Sequence, residues 1–539
     1  MSPGGRAGKS QGPKGLRARR KEPQGLRQAL RAVPGRLQGP QAYLQSPKPP
    51  VTQRELHPRL QRRIVMASTK EETKSSGSIF DSMYPYRNRL ETHAVLPPKG
   101  RSREEILQEL ETIIKEEDKK WESGRSSGTT YHGGREHYGF LNRVFGLFSH
   151  VNLLQRDLWP SGTKFEAEIV SMTAHMLHGE CVKEHSPQDE VCGVVTSGGS
   201  ESILMAMLAY RERGRAEKGI TAPEMIAPVT IHPAFSKGAH YFGIRLIRVP
   251  VGKDFLADVE AIRSSITGNT VALAASAGNY PHGLIDPIEE LSEIALRHDL
   301  GFHVDGCLGG FLLPWIEKLG YDVPPFDFRL PGVTSISCDT HKYGYALKGT
   351  SVLLYRNKRL RRYQYFCQTD WPGGLYASPT AAGSRSGGLT AATWAAMVAM
   401  GEEGYLEAAR AIMKAADTIK RGVATIPEIR IAGNPTFCIA LMSDVVDIYH
   451  VNDFLASRGW RLNGLQLPAG EHLCVTLPQT QPGVAEKFVE DLREAVEYAK
   501  NPPQPQAFSG AVYGLSGSVS GQATLQELLY SWLDASYEL

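Results

Sequence analysis

The sequence predicts an α/β protein whose large domain is a mostly parallel, seven-stranded sheet covered by helices, with a smaller α/β domain toward the C-terminus. Three observations carry this reading. Between residues 165 and 356 seven short β-branched or apolar runs alternate with helical patterns, the order that lays helices over a parallel sheet. After residue 386 a helix-rich stretch precedes a second, shorter set of strand-like runs. A chain of 539 residues also exceeds what one hydrophobic core organises.

In chain order, residues 1–65 hold 15 Lys or Arg against Glu22 and Glu55, a net charge of +13. They are rich in Pro, Gly and Gln and lack apolar periodicity, so a disordered basic tail is expected. The whole chain carries +4, which leaves −9 for the remainder and argues against nucleic-acid binding by the folded part. Residues 66–150 read as a helical and extended segment that contributes to a dimer. Within it, Ile106, Leu107, Leu110, Ile113 and Ile114 mark an amphipathic helix over 103–121. The large domain is assigned to 151–385, with strands at 191–196, 227–231, 245–249, 271–275, 302–304, 334–337 and 351–355. The small domain is assigned to 386–539, with a helix-rich stretch at 391–426, strands at 429–432, 437–442 and 472–477, and a closing helix at 484–500. Seven dispersed cysteines without a C-x-x-C pair fit reduced thiols and offer no metal site. No run reaches the roughly 18 apolar residues of a spanning helix, so a soluble, cytoplasmic protein without an integral membrane segment is expected.

Four motifs carry chemistry, each open to a purely structural reading when taken alone. Strand 191–196 ends in Ser197-Gly198-Gly199-Ser200-Glu201-Ser202 ahead of a helix. Free amides and the positive end of the helix dipole make such a turn a phosphate cradle, or simply a helix start. His232 follows strand 227–231 and could lie flat on a planar ring, or be a core histidine. Asp305 follows strand 302–304, at the carboxyl edge where ligands sit in open α/β sheets. A carboxylate there keeps a pyridine-type nitrogen protonated, or caps a helix. Lys342 follows a strand-like run at 333–337 and adjoins His341 among apolar and aromatic residues. Semi-buried, partly cationic surroundings are expected to lower its pKa and free the amine to attack a carbonyl. All four fall at carboxyl ends of successive predicted strands, where one crevice collects them.

With these motifs the chain resembles the fold-type I pyridoxal-phosphate enzymes, and within them the sphingosine-1-phosphate lyase family. The resemblance covers about 131–513. It rests on Val195-Thr196-Ser197-Gly198-Gly199-Ser200-Glu201-Ser202, His303-Val304-Asp305-Gly306-Cys307-Leu308-Gly309-Gly310, Pro325-Phe326-Asp327-Phe328-Arg329, Asp339-Thr340-His341-Lys342-Tyr343-Gly344-Tyr345 and Tyr376-Ala377-Ser378-Pro379-Thr380.

The resemblance implies an aspartate-aminotransferase-like fold and pyridoxal 5'-phosphate as cofactor. Lys342 would bind the cofactor covalently, Asp305 would partner its ring nitrogen and His232 would stack on the ring. Gly198, Gly199, Ser200 and His341 would hold its phosphate, and Ser384 would be a further contact. It also implies a homodimer with composite sites, in which Tyr131, His150, Tyr376 and Arg385 bind substrate and Tyr131, Tyr376, Ser384 and Arg385 lie on loops that reach across. Tyr376, Lys348 and Tyr280 would move protons or hold the substrate phosphate. The implied reaction is retro-aldol cleavage of the C2–C3 bond of a phosphorylated sphingoid base, giving a fatty aldehyde and phosphoethanolamine. The alternatives are an amino-acid decarboxylase of glutamate or aromatic type, and a cofactor-binding protein with impaired turnover. Three positions depart from the family pattern: Gly306 and Pro233 beside predicted cofactor contacts, and Leu347, expected near the substrate mouth. The eukaryotic members carry an N-terminal membrane anchor, and this chain looks more like the soluble bacterial forms.

Overall fold

The computed structural model describes residues 85–86, 89–513 and 519–538. The chain divides into Met1–Ser82 and Met83–Leu539. The predicted basic tail and the beginning of the 66–150 segment lie outside the described residues, and the account below concerns the second unit.

A seven-stranded sheet forms its centre, in the order β1-β7-β6-β5-β4-β2-β3. The strands are β1 (Cys192–Thr196), β2 (Glu224–Pro228), β3 (Arg245–Val249), β4 (Thr270–Ser276), β5 (Gly301–Asp305), β6 (Ser335–Cys338) and β7 (Ser351–Tyr355). Neighbours among β2 to β6 pair in parallel, while β7 is antiparallel to both β1 and β6. Six strands therefore end at one edge, and β7 alone is reversed. Every position of β1, β2 and β4 to β7 is buried, which is why they read as continuous apolar runs and not as alternating ones. The edge strand β3 exposes Arg245 and Arg248, charges that discourage pairing with another sheet.

Beyond the hairpin β8 (Phe366–Trp371) and β9 (Gly374–Ser378), the long helix Gly387–Val423 begins at Ser386, whose Oγ accepts from Leu389 N. It breaks at Gly401, where φ is 55°. Ala392, Ala395 and Ala396 let it approach Leu141 closely. A second sheet follows, β10 (Arg430–Ile431), β11 (Cys438–Met442), β12 (Asn463–Leu465) and β13 (Gly470–Cys474), antiparallel throughout in the order β10-β11-β13-β12. In the helix Val484–Lys500, buried Phe488, Leu492, Ala495, Val496 and Ala499 recur at helical spacing.

The sequence places the second strand at 227–231, whereas β2 runs from Glu224 to Pro228. The strand opens with a buried glutamate, held by the Arg245 guanidinium and the Thr267 hydroxyl, and no local pattern announces that arrangement. His232 consequently lies in the turn before the helix Ala234–Phe242, four residues past the strand. The β8–β9 hairpin, β12 and the helix Val519–Ala535 are elements the sequence reading does not contain.

Candidate active site

The carboxyl edge of the large sheet gathers the predicted motifs. At the end of β1, Gly198 adopts φ 154° and starts the helix Gly199–Lys218, whose first turn no side chain caps. Glu201 braces the turn: Oε2 accepts from Ser197 N at 2.6 Å and Oε1 from Ala381 N at 2.9 Å. Gly199 is enclosed. A Cβ there would stand 2.7 Å from both Asp339 Oδ1 and Cys307 Sγ, and 2.8 Å from Asp339 Oδ2. A Cβ on Gly198 would stand 3.5 Å from His341 Cε1. The glycine turn thus abuts residues delivered by β5 and β6.

Asp305 ends β5, and its Oδ1 accepts from Cys307 N at 3.1 Å and from Ser337 Oγ at 3.4 Å. Ser337 Oγ in turn accepts from Cys307 Sγ at 3.2 Å and meets His303 Nε2 at 3.1 Å. Since the Ser337 proton goes to Asp305, His303 must donate through Nε2. Its Nδ1 then accepts from Ser335 Oγ at 2.7 Å, and Ser335 is held by Tyr210 at 2.6 Å. Burial lowers the pKa of His303 to about 4, so this strut beneath Asp305 is neutral. Asp305 Oδ2 accepts no hydrogen bond among the described residues.

Beyond β6, Lys342 Nζ lies 3.0 Å from Asp339 Oδ2, and His341 Nε2 lies 3.7 Å from the same oxygen. Asp339 is 3% exposed, and its Oδ1 has no hydrogen-bond partner. The expected lowering of the Lys342 pKa is not what these surroundings produce. Burial works in that direction, but the Asp339 carboxylate above all, with Asp305 beyond it, outweighs burial and raises the pKa. The nearest opposite charges come from the ends of β5 and β6, whereas the sequence reading weighed the adjacent His341. Burial lowers the pKa of His341. Lys348 behaves as a displaced cation: its side chain reaches solvent, yet surrounding protein and the charge of Lys342 bring its pKa down to about 8. Its Nζ donates to His341 O at 3.2 Å and sits 4.8 Å from the Tyr131 ring centre.

Aromatic rings flank Lys342 and Lys348 on one side. Tyr131 is buried and meets Tyr343 edge-on at 5.0 Å. Tyr343 donates to Val475 O at 2.8 Å, anchoring the residue after Lys342 to the second sheet. Tyr280 packs edge-on against His472 at 4.9 Å and faces His232 at 6.5 Å. His232 Nδ1 accepts from Ala234 N at 3.2 Å, which orients its ring, and among the described residues His232 makes no hydrogen bond, ion pair or ring contact with Asp305, His341 or Lys342.

Other predicted residues lie apart. Tyr376 sits in the hairpin beside Phe366 and Trp371, and a Cβ on Gly383 would stand 2.8 Å from its hydroxyl. Ser384 Oγ accepts from Asn152 Nδ2 at 3.0 Å. Arg385 is ion-paired with Glu166 and donates to Val195 O at 3.3 Å. His150 is exposed in the turn after the helix Arg135–Phe148, and Ser200 is exposed in the first turn of its helix. Among the described residues, Tyr376, Ser384, Arg385 and His150 make no hydrogen bond, ion pair or ring contact with Asp305, His341 or Lys342. Sequence reading assigned no role to Asp339, Cys307, Ser337 or Glu201. The signal for Asp339 is an acid two residues past a predicted strand and three before Lys342.

The departures from the family pattern fit their surroundings. A Cβ on Gly306 would stand 3.0 Å from Ser337 O, so a glycine suits the close approach of β6. Pro233 starts the helix after His232 with φ −56°, the angle its ring prefers. Leu347 packs against the alanine-rich helix surface around Leu141.

Comparison with known proteins follows the same lines. The pyridoxal-dependent decarboxylase conserved domain matches residues 85–438. A sphingosine-1-phosphate lyase of Oryza sativa subsp. japonica is 47% identical over 446 residues, covering 82% of this chain and 81% of that protein. One from Arabidopsis thaliana is 48% identical over 448 residues, with the same coverage. The solved sphingosine-1-phosphate lyase of Burkholderia pseudomallei is 52% identical, with a TM-score of 0.80, covering 84% of this chain and 99% of its own. The glutamate decarboxylase of Lactobacillus brevis shares the fold at a TM-score of 0.64 with 18% identity.

Proposed function

The chain belongs to the sphingosine-1-phosphate lyase family within the pyridoxal-dependent decarboxylase group, and from that premise we propose that it cleaves the C2–C3 bond of a phosphorylated sphingoid base. The products are a fatty aldehyde and phosphoethanolamine.

The residues present fit pyridoxal 5'-phosphate. Gly198 and Gly199, at a helix start that no side chain caps, offer backbone amides to a phosphate. Asp305 keeps Oδ2 for a ring nitrogen, and Lys342 supplies the amine for covalent attachment. The bound cofactor contributes an electron sink adjacent to the substrate's amine-bearing carbon.

The protein's own groups do the rest. The neutral strut His303–Ser337 holds the Asp305 carboxylate in one orientation. Lys348, close to Lys342, carries positive charge below pH 8 and can bind a substrate phosphate or pass a proton. Tyr131 and Tyr343 keep one side of the site dry. Tyr376, Ser384 and His150, which stand away from Lys342 in their own chain, serve the site of a second subunit in a homodimer, with Tyr376 as the proton-transfer residue, whereas Arg385 is held by Glu166 within its own chain. The segment 151–385 acts as the cofactor-binding domain and 386–539 as the small domain. No helix among the described residues is long and apolar enough to cross a membrane, and a cytoplasmic setting is part of this proposal.

The observation that carries the reading is the meeting of Gly199, Asp305, Asp339 and Lys342 from three strand ends. The test is to supply pyridoxal phosphate and a phosphorylated sphingoid base and to follow aldehyde formation. Carbon dioxide release from glutamate, tyrosine or dopa without aldehyde would replace this reading with a decarboxylase.

A further inference from the structure

The proposed chemistry needs a neutral amine on Lys342, yet the structure surrounds that amine with acid. Asp339 is the nearest group, at 3.0 Å, and it faces two ways. Oδ2 is turned to Lys342 and His341. Oδ1 is buried without a partner, and both oxygens stand under 3 Å from where a Gly199 Cβ would be. One carboxylate therefore touches both the amine that must lose a proton and the turn that receives a phosphate.

We propose that Asp339 is the positioning residue that couples phosphate binding to release of the Lys342 amine. A phosphate dianion settling on Gly198 and Gly199 meets the Asp339 carboxylate, and two anions in a water-poor site repel strongly. The nearest proton is on Nζ. It moves to Asp339 Oδ2: the N–H bond breaks, an O–H bond forms, and no co-reactant is needed. The carboxyl group is then neutral beside the phosphate, and Nζ has a free electron pair for the carbonyl. Without a phosphate, Lys342 stays an ammonium ion paired with Asp339 and is protected from stray aldehydes. The other charged or titratable groups facing Asp339 are His341, Cys307, Cys338, Asp305, Lys348 and Tyr131. Of these, Cys307 and Cys338 are buried thiols with raised pKa values, and burial lowers the pKa of His341.

This inference rests on the cofactor reading above and is tested separately from it. The full-length protein is mixed with pyridoxal, which lacks the phosphate, and covalent capture is followed by absorbance with and without added inorganic phosphate. Inorganic phosphate is expected to accelerate capture by wild-type protein about tenfold or more, and to have no such effect on Asp339→Asn. Absence of acceleration in wild-type protein overturns the coupling without any variant, as does equal acceleration in Asp339→Asn. If wild-type protein captures neither pyridoxal nor pyridoxal phosphate, the cofactor reading itself fails. Circular dichroism of Asp339→Asn and Asp339→Glu checks that the fold survives. A merely structural role for Asp339 would slow capture with and without phosphate alike.

Discussion

Arg385 separates two accounts of the loop that follows the hairpin, and replacing it with methionine tests them. In its own chain Arg385 is ion-paired with Glu166, with the two side chains only 12% and 10% exposed. Breaking a pair so buried costs about 3–5 kcal/mol, because the remaining charge is left without its partner. Glu166 would keep Arg156, which is 39% exposed, so the lower end, about 3 kcal/mol, is expected. That corresponds to roughly a hundredfold loss in the folded-to-unfolded ratio. The assay is denaturant unfolding of Arg385→Met, Glu166→Gln and the double variant, alongside kcat and KM. If Arg385 serves mainly as the partner of Glu166, the single variants each lose stability and the double variant loses less than their sum. A variant with an unchanged unfolding midpoint and a raised KM would refute this and assign Arg385 to the substrate.

Three further outcomes follow from the geometry. Gly199→Ala forces a Cβ against Asp339 and Cys307; a loss of about 1–3 kcal/mol and poor retention of pyridoxal phosphate in a dialysis and absorbance assay are expected. The KM for a phosphorylated substrate should rise as pH increases through about 8, where Lys348 loses its charge, and Lys348→Met should raise KM and flatten that pH dependence. His303 and His472, both brought to about 4 by burial, bind protons in the unfolded chain near pH 6.5 but not in the folded one. Thermal unfolding should therefore show stability falling between pH 6.5 and 4, with the His303 share absent in a His303→Gln variant that still folds.

Much of the site was legible because its members sit at strand ends, and buried parallel strands announce themselves as apolar runs. Gly198, Asp305 and Lys342 each follow such a run. β2 was misplaced because its first residue, Glu224, is a charge buried by partners 21 and 43 residues away, while the β-branched stretch after Pro228 imitated a strand. The direction of the Lys342 shift was missed for a related reason. The sequence reading weighs His341 beside it, but the carboxylate of Asp339, three residues earlier, dominates, and that of Asp305 arrives from another strand. The hairpin holding Tyr376 carried a turn signal in Pro372-Gly373-Gly374. All of β8 is exposed, so it lacks the apolar pattern by which the other strands were found.

The reversed strand β7 has a bearing on the order in which the protein assembles. It pairs Thr196 with Ser351 and Cys338 with Val352, so it sets the relative height of the glycine turn and of the Asp339–Lys342 segment. The first of these pairings joins residues 155 apart, a late event for a chain whose closest contacts form first. A nascent chain released through residue 350 already contains Gly199, Asp305 and Lys342, yet lacks the strand that brings them level. A phosphate ligand that needs both the glycine turn and the Asp339–Lys342 segment stabilises the completed sheet by mass action. Its capture would report the moment at which synthesis has passed β7.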